Sequence, residues 1–241
     1  MFSLFRSNKK DSAQQLLFNT DIHSHILPGI DDGSPNIETS LKLVKGIYDL
    51  GIRKTVATPH IISDMFRNSP ATIMPALEKL KIACKEAGID IEISAAAEYM
   101  LDDYFLTLLN SGSKLLTIHG NIVLTEQSYS IPSGSLGEIA FELLQKGYKP
   151  IMAHPERYSY YHHDYEEFNH LKDMGFLLQV NVLSLAGYYG KVVARAARYL
   201  FENDMVDFVG TDMHHERHLA ALRQNASLIN EYIKVKDFNQ F

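Results

Sequence analysis

Nine side chains with metal-ligand chemistry occupy a repeated position in this sequence, just after short apolar runs. They are His23 and His25 in Asp-Ile-His-Ser-His, Asp32 in the Asp-Asp-Gly that follows, and His60 in Thr-Pro-His. Glu98 follows Ala97, Glu126 follows Thr125, His154 follows Ala153, and Asp212 and His214 lie in Thr-Asp-Met-His. Five imidazoles and four carboxylates left uncompensated in one pocket would repel one another and shift their own ionisation. Cations resolve that conflict, and neutral imidazole with carboxylate suits manganese, iron or zinc better than calcium or magnesium. Nine donors are too many for one tetrahedral site, and too many for two unless many only support the ligands. Three divalent ions, sharing a bridging carboxylate or hydroxide, fit the number. Three such ions against four carboxylates leave about +2, a charge that attracts a phosphate dianion. Singly, each residue is ordinary: a lone His-x-His is often a solvated strand end, and a lone Glu a helix cap. Their coincidence carries the weight. His119, His162, His163, His170, His215 and His218 fall in polar loops or helix starts and are read as ordinary.

The elements that must position these groups repeat along the chain as apolar run, polar loop and amphipathic stretch. The apolar runs are 16–23, 52–58, 89–97, 121–125, 149–153, 176–181 and 206–210. The amphipathic stretches begin near Ser34-Pro35, read as an N-cap with proline at the first helical position, and then cover about 71–87, 102–110, 135–146, 165–174, 191–203 and 219–233. Gly51, Gly88, Gly147 and Gly175 close four of them. Strands alternating with helices imply a parallel sheet, and runs that are apolar throughout imply strands covered on both faces. Six of the seven runs end in His, Asp or Glu, at the carboxyl end where such folds place their active sites. Pattern alone leaves a closed barrel and an open doubly wound sheet as alternatives. With no internal linker, residues 1–241 read as one domain, with 1–15 as an N-terminal extension. Phe2, Leu4 and Phe5 are available there to pack on the barrel or on a second subunit.

Composition excludes several other classes. The 241 residues carry 23 Lys+Arg against 29 Asp+Glu, a net charge of −6 that argues against a nucleic-acid partner. No Gly-x-Gly-x-x-Gly follows the first run and no Walker lysine motif is present. A single cysteine, Cys84, rules out a disulfide framework or a Cys-rich zinc site. Asp90 stands where a Cys-x5-Arg phosphatase needs arginine. No stretch reaches the roughly 18–20 apolar residues of a membrane span, and residues 1–10 lack the order of a signal peptide, so a cytoplasmic location is expected.

These motifs resemble the PHP superfamily (polymerase and histidinol phosphatase), and within it the bacterial protein-tyrosine phosphatases of the CpsB/YwqE type. Asp-Ile-His-Ser-His-Ile-Leu-Pro-Gly-Ile-Asp-Asp-Gly from Asp21 and Ala-His-Pro-Glu-Arg-Tyr at 153–158 carry most of the likeness. Thr-Pro-His at 58–60 and Thr-Asp-Met-His at 211–214 support it. The resemblance implies a distorted (β/α)7 barrel of the PHP type with three divalent ions, manganese or iron first and zinc or magnesium as further options. It assigns His23, His25, Glu98 and Asp212 to one ion, a bridging Glu98 with Glu126 and His154 to the second, and Asp32, His60 and His214 to the third. Asp31 would then support a ligand rather than be one. Arg157 matches a phosphate-holding arginine of the family. Arg217 is a second candidate, although the corresponding arginine comes slightly later in relatives.

The implied activity is phosphomonoester hydrolysis by a metal-bridging hydroxide. Its expected substrate is phosphotyrosine on the tail of a bacterial tyrosine kinase involved in capsule or exopolysaccharide synthesis. Tyrosinate, with pKa about 10, needs little protonation to leave, and His60 is a candidate donor. Tyr158, Tyr160, Tyr161, Tyr188 and Tyr189 could line an aromatic rim. Histidinol phosphate or another small ester is the alternative substrate. An amidohydrolase would carry a metal-bridging lysine on a middle strand, where Glu126 stands. A non-catalytic metal-binding module is the remaining rival.

Overall fold

A computed structural model of the chain describes residues 14–241. Most of the expected N-terminal extension, with Phe2, Leu4 and Phe5, lies outside the described residues. Strand β1 (Thr20–Ser24) is buried along its whole length and leads through the Asp31-Asp32-Gly33 loop into α1 (Ile37–Asp49). The helix starts two residues later than Ser34-Pro35 suggests, because Asn36 is the cap and its Oδ1 accepts the Thr39 N–H at 2.9 Å. Ser34 is engaged elsewhere: its N–H donates to the His25 carbonyl and its hydroxyl to the Asn36 carbonyl. These bonds fold the loop back over the strand end. Only glycine fits at 33, where a Cβ would stand 2.1 Å from the His25 carbonyl oxygen.

The second and third apolar runs are each followed closely by a further short strand. The second forms β2 (Lys54–Ala57), crosses Thr58-Pro59, and resumes as β3 (His60–Ile62), which turns back as β4 (Phe66–Arg67). After α2 (Pro70–Glu86) the third forms β5 (Glu92–Ala95) and, beyond Ala96-Ala97, β6 (Glu98–Met100). The remaining elements follow the expected alternation: α3 (Asp103–Asn110), β7 (Ile122–Glu126), α4 (Leu136–Gln145) and β8 (Lys149–Ala153). Then come α5 (Glu167–Asp173), β9 (Leu177–Asn181), a short α6 (Val182–Leu185), α7 (Lys191–Glu202), β10 (Phe208–Gly210) and α8 (Glu216–Ile233). The described residues thus hold ten strands where seven were expected. The short β3, β4 and β6 were hidden within or beside runs read as single strands.

Strand β2 lies between β1 and β5, and the second sheet runs β10-β9-β8-β7-β6-β3-β4. Every pair is parallel except the β3–β4 hairpin. Because β2 leads into β3 and β5 into β6, the two sheets are halves of one wall. The far edge closes where Ser24 bridges Met213 in parallel, with His25 N–H donating to the Met213 carbonyl at 2.9 Å and Asp212 N–H to the His23 carbonyl at 2.8 Å. This is a distorted seven-run α/β barrel, and the closing bridge decides between the two architectures.

Two apolar clusters hold it together. The larger joins α1, α2, α7 and α8 to the strands through residues such as Leu43, Ile47, Leu80, Leu200 and Leu222. The smaller unites Ile22, Val56, Leu124, Ile151 and Ala153. Along β7, Ile122, Leu124 and Glu126 share a face, so this dry plug sits beneath Glu126. Cys84 is buried on α2, and burial pushes its thiol up to about 11, which removes thiolate chemistry.

Candidate metal centre

The parallel register brings the polar strand ends together. His60 pairs with Glu98 across β3 and β6, and Met100 with Glu126 across β6 and β7. His154 and Asp212 follow β8 and β10 with left-handed backbones, φ 35° and 50°. Such conformations are costly for non-glycine residues and concentrate at functional sites. Gly210 leaves the space for His23, since a Cβ there would lie 2.7 Å from the His23 Cβ.

All nine expected donors meet at this mouth. Their ligand atoms form four sets, each within 4.8 Å: His25, Asp32, His60 and His214; His23, His154 and Asp212; His23, His25 and Glu98; and His60, Glu98 and Glu126. Glu98 is central, with His23 Nε2 at 3.2 Å, His25 Nε2 at 3.3 Å, His60 Nδ1 at 3.2 Å and His154 Nε2 at 3.0 Å from its oxygens. Asp32 Oδ1 stands 3.5 Å from both His60 Nε2 and His214 Nε2. The grouping differs from the one implied by the resemblance in several respects, and His25 joining Asp32, His60 and His214 is one of them. Glu126 lies 2.8 Å from His60 Nδ1, and His154 groups with His23 and Asp212 instead.

The outer nitrogens of three histidines are tied down in the way that metal ligation requires. His23 Nδ1 donates to Gln179 Oε1 at 2.8 Å, His25 Nδ1 to Asp31 Oδ2 at 2.8 Å, and His214 Nδ1 to the Asp212 carbonyl at 2.9 Å. Each bond holds a proton on Nδ1 outside and turns Nε2 inward, where a cation would displace any proton it carries. Asp31 therefore supports His25, while Asp32 faces the mouth. Gln179 Nε2 donates to Asn181 Oδ1 at 2.9 Å, and Asn181 Nδ2 donates to Asp212 Oδ2 at 2.7 Å. One directed chain thus joins two candidate ligands, His23 and Asp212.

Meanwhile His154 Nδ1 is buried without a hydrogen-bond partner among the described residues, and His60 Nδ1, Glu98 Oε2 and Glu126 Oε1 crowd together at 2.8–3.2 Å without hydrogen-bond geometry. Buried groups in that state are costly unless an ion satisfies them. The residues present fit divalent cations. Burial pushes His154 down to about 4, so its imidazole stays neutral and suited to a cation. Burial also works against His23, but Glu98 and Asp212 lift it to about 9. Asp212 resists its own burial because His23, His214 and Arg157 hold it well below the usual carboxylate range. Burial, then the neighbouring Glu98 charge, raises Glu126. A cation relieves that carboxylate repulsion.

The mouth opens into a cleft of about 490 Å³, within the range of small-ligand sites. Arg157 reaches it from a tight turn at Pro155–Arg157 and donates from Nη1 to Asp212 Oδ2 at 2.8 Å. Its guanidinium lies between two tyrosine rings, 4.6 Å from Tyr129 and 4.3 Å from Tyr189. Arg217 is exposed on the first turn of α8 and does not line the cleft. The expected tyrosine rim is also different. Tyr158 and Tyr161 are buried beneath the loop, where Tyr158 donates to the Ala153 carbonyl, and Tyr160 stacks on Tyr158. Tyr189 does line the cleft, joined by Tyr129, Phe66 and Met100, which the sequence did not single out. His215 and His218, read as ordinary, line it too. Gln179 and Asn181 were missed because they are neutral, although they end the one apolar run that carries no His, Asp or Glu.

Residues 19–236 match the protein family described as "Capsular polysaccharide synthesis, CpsB/CapC". The chain belongs to this family. The match spans every donor described above. Among curated relatives, the tyrosine-protein phosphatase CpsB of Streptococcus pneumoniae is 31% identical over 80% of this chain and 82% of its own. The tyrosine-protein phosphatase YwqE of Bacillus subtilis is 28% identical over 80% of this chain and 76% of its own. A crystal structure from the work on YwqE and CpsB, described as unique metal-dependent tyrosine phosphatases, superposes with a TM-score of 0.76 at 26% identity, covering 92% of this chain and 97% of that one. The Lactococcus lactis histidinol phosphate phosphatase reaches 0.55 at 13% identity over 92% and 96%, a likeness of fold alone. Among the described residues, no helix is long and apolar enough to cross a membrane.

Proposed function

We propose that this CpsB/CapC family member is a metal-dependent protein-tyrosine phosphatase. The observation that carries the reading is Arg157, clamped between Tyr129 and Tyr189 at the lip of a cage of nine imidazole and carboxylate groups. Divalent ions held by that cage supply Lewis acidity and water ionised at neutral pH. Arg157 keeps one N–H on Asp212 and offers the rest of its fork to phosphate oxygens, orienting the ester above the cage. Tyr129, Tyr189 and Phe66 give a flat aryl group an aromatic wall. His60 turns both ring nitrogens toward carboxylates, so its part is to hold rather than to protonate the leaving group. The neutral His154 keeps its lone pairs for the cage.

Three ions, with manganese or iron preferred, are the occupancy we infer, held by His23, His25, Asp32, His60, Glu98, Glu126, His154, Asp212 and His214. The inferred partner is the phosphorylated tail of a tyrosine kinase serving capsule or exopolysaccharide synthesis, in the cytoplasm. Met65, 70% exposed at the lip, and Ile131, 71% exposed next to the cleft-lining Ser130, suit a polypeptide substrate better than a small metabolite. The test compares turnover of a phosphotyrosine peptide with that of histidinol phosphate by the manganese-loaded protein. The peptide should be preferred, and His23→Ala and His154→Ala should each abolish turnover while remaining folded. Preference for histidinol phosphate would overturn the substrate, and full activity in a folded double variant would overturn the mechanism.

A further inference from the structure

Outside the metal cage, α7 carries an unusual run of cations. Lys191, Arg195 and Arg198 stand at spacings of four and three residues, on one face of the helix. They line a groove of about 740 Å³ together with Tyr165, Tyr199 and Glu202. Like charges at these spacings destabilise a helix, and Lys191 sits at the positive end of its dipole. That helix end has no acidic residue in its first turn and no side-chain cap, since Gly190 precedes it. Among the described residues none of the three cations has a carboxylate within 4.0 Å, Glu202 included, although the chain as a whole is acidic. Arg198 donates from Nη2 to the Leu185 carbonyl at 2.9 Å, while its Nε is buried without a partner. The groove is therefore electrostatically incomplete in the way an anion would complete.

Its place relative to the cage gives the anion a source. Tyr189 lines the metal cleft and Lys191 lines the groove, two residues apart where the turn enters α7. At most about 7 Å of backbone separates them. An extended polypeptide presenting its phosphotyrosine to Arg157 would need only a few residues to reach across this turn. We propose that the Lys191–Arg195–Arg198 groove is a second anion subsite, which binds an acidic or phosphorylated residue flanking the phosphotyrosine on the same polypeptide. The subsite rests on the phosphatase reading for its substrate, but binding there does not require hydrolysis. Tyr165 and Tyr199 give it apolar sides, so an acidic residue next to an aromatic one suits it best.

The experiment uses the full chain loaded with manganese and the double variant Lys191→Gln/Arg195→Gln, both exposed positions away from the cage. Two phosphotyrosine peptides are compared, one with a glutamate run beginning three to five residues from the phosphotyrosine and one with glutamine in its place. The wild-type protein should show kcat/KM about fivefold higher for the glutamate peptide, carried by KM and diminishing with salt. The double variant should lose that difference while hydrolysing the glutamine peptide and p-nitrophenyl phosphate as the wild type does. A fluorescent, unphosphorylated glutamate peptide is titrated in parallel, and should bind the wild type more tightly than the variant whether or not either hydrolyses anything. Equal rates on the two peptides, or equal binding by the two proteins, would overturn the subsite. Binding that discriminates without any phosphate release would uphold the subsite and overturn the phosphatase reading.

Discussion

Asn181→Leu isolates the chain of hydrogen bonds that joins two ligands without touching either. Leucine keeps asparagine's branched outline but is bulkier and apolar, and the Asn181 backbone N–H remains bonded to Glu156 Oε1 at 3.0 Å. The change removes the 2.7 Å bond that positions Asp212 and leaves Gln179 Nε2 buried with no acceptor. An unmet buried donor costs about 1–3 kcal/mol. Gln179 can escape that cost only by rotating, and rotation surrenders the 2.8 Å bond that fixes the His23 tautomer. Loss of such supporting bonds weakens metal affinity about 10- to 100-fold. Manganese titration by calorimetry should show this loss, with kcat/KM restored in part by excess metal. Gln179→Leu/Asn181→Leu removes the stranded amide but leaves His23 Nδ1–H without its acceptor, so it should bind manganese no more tightly than the single variant. Unchanged manganese affinity in Asn181→Leu would refute the idea that the chain orients the ligands.

Two further outcomes follow from the geometry. Arg157→Lys keeps the charge but loses the flat fork stacked on Tyr129 and Tyr189, and one charge-assisted bond to phosphate with it. At about 1.5–3 kcal/mol per bond, kcat/KM for phosphotyrosine peptide should fall about 10- to 100-fold, while metal content stays constant. Burial, then the neighbouring His215, pushes His218 down to about 3, so the folded protein holds it neutral while the unfolded chain protonates it near 6.5. The stability this contributes is complete above pH 6.5 and drains as pH falls toward 3. In metal-free protein, His218→Gln should therefore flatten the acid limb of the stability–pH curve by at most about 1.4 kcal/mol per pH unit, measured by urea unfolding.

The sequence made the donors legible because each is a charged or imidazole group at the end of an apolar run, a position that a parallel fold projects to one rim. It showed the barrel less well. Thr58-Pro59 and Ala96-Ala97 are too short to read as breaks, yet each passes a strand from one sheet to the other, creating β3 and β6. The helix start at Asn36 is obscured because Ser34 resembles a cap but spends its N–H on the His25 carbonyl and its hydroxyl on the Asn36 carbonyl. Tyrosines near the His154 motif suggested a rim, but the tight turns at Pro155–Arg157 and Ser159–Tyr161 fold Tyr158 and Tyr161 inward. Tyr129 stands in a Gln-Ser-Tyr-Ser loop with no periodic signal, and only tertiary folding brings it to Arg157. Gln179 and Asn181 carry no charge, and their meaning appears only once β9 lies beside β8 and β10.

The central proposition is that the nine strand-end groups bind divalent ions and that hydrolysis depends on them. Elemental analysis of the purified protein, paired with phosphate release from a phosphotyrosine peptide before chelation, after it, and after manganese is restored, tests it directly. Close to three ions per chain, activity lost on stripping and regained with manganese, is the expected result. A stripped protein, free of metal by the same analysis, that still releases phosphate at the original rate would contradict it.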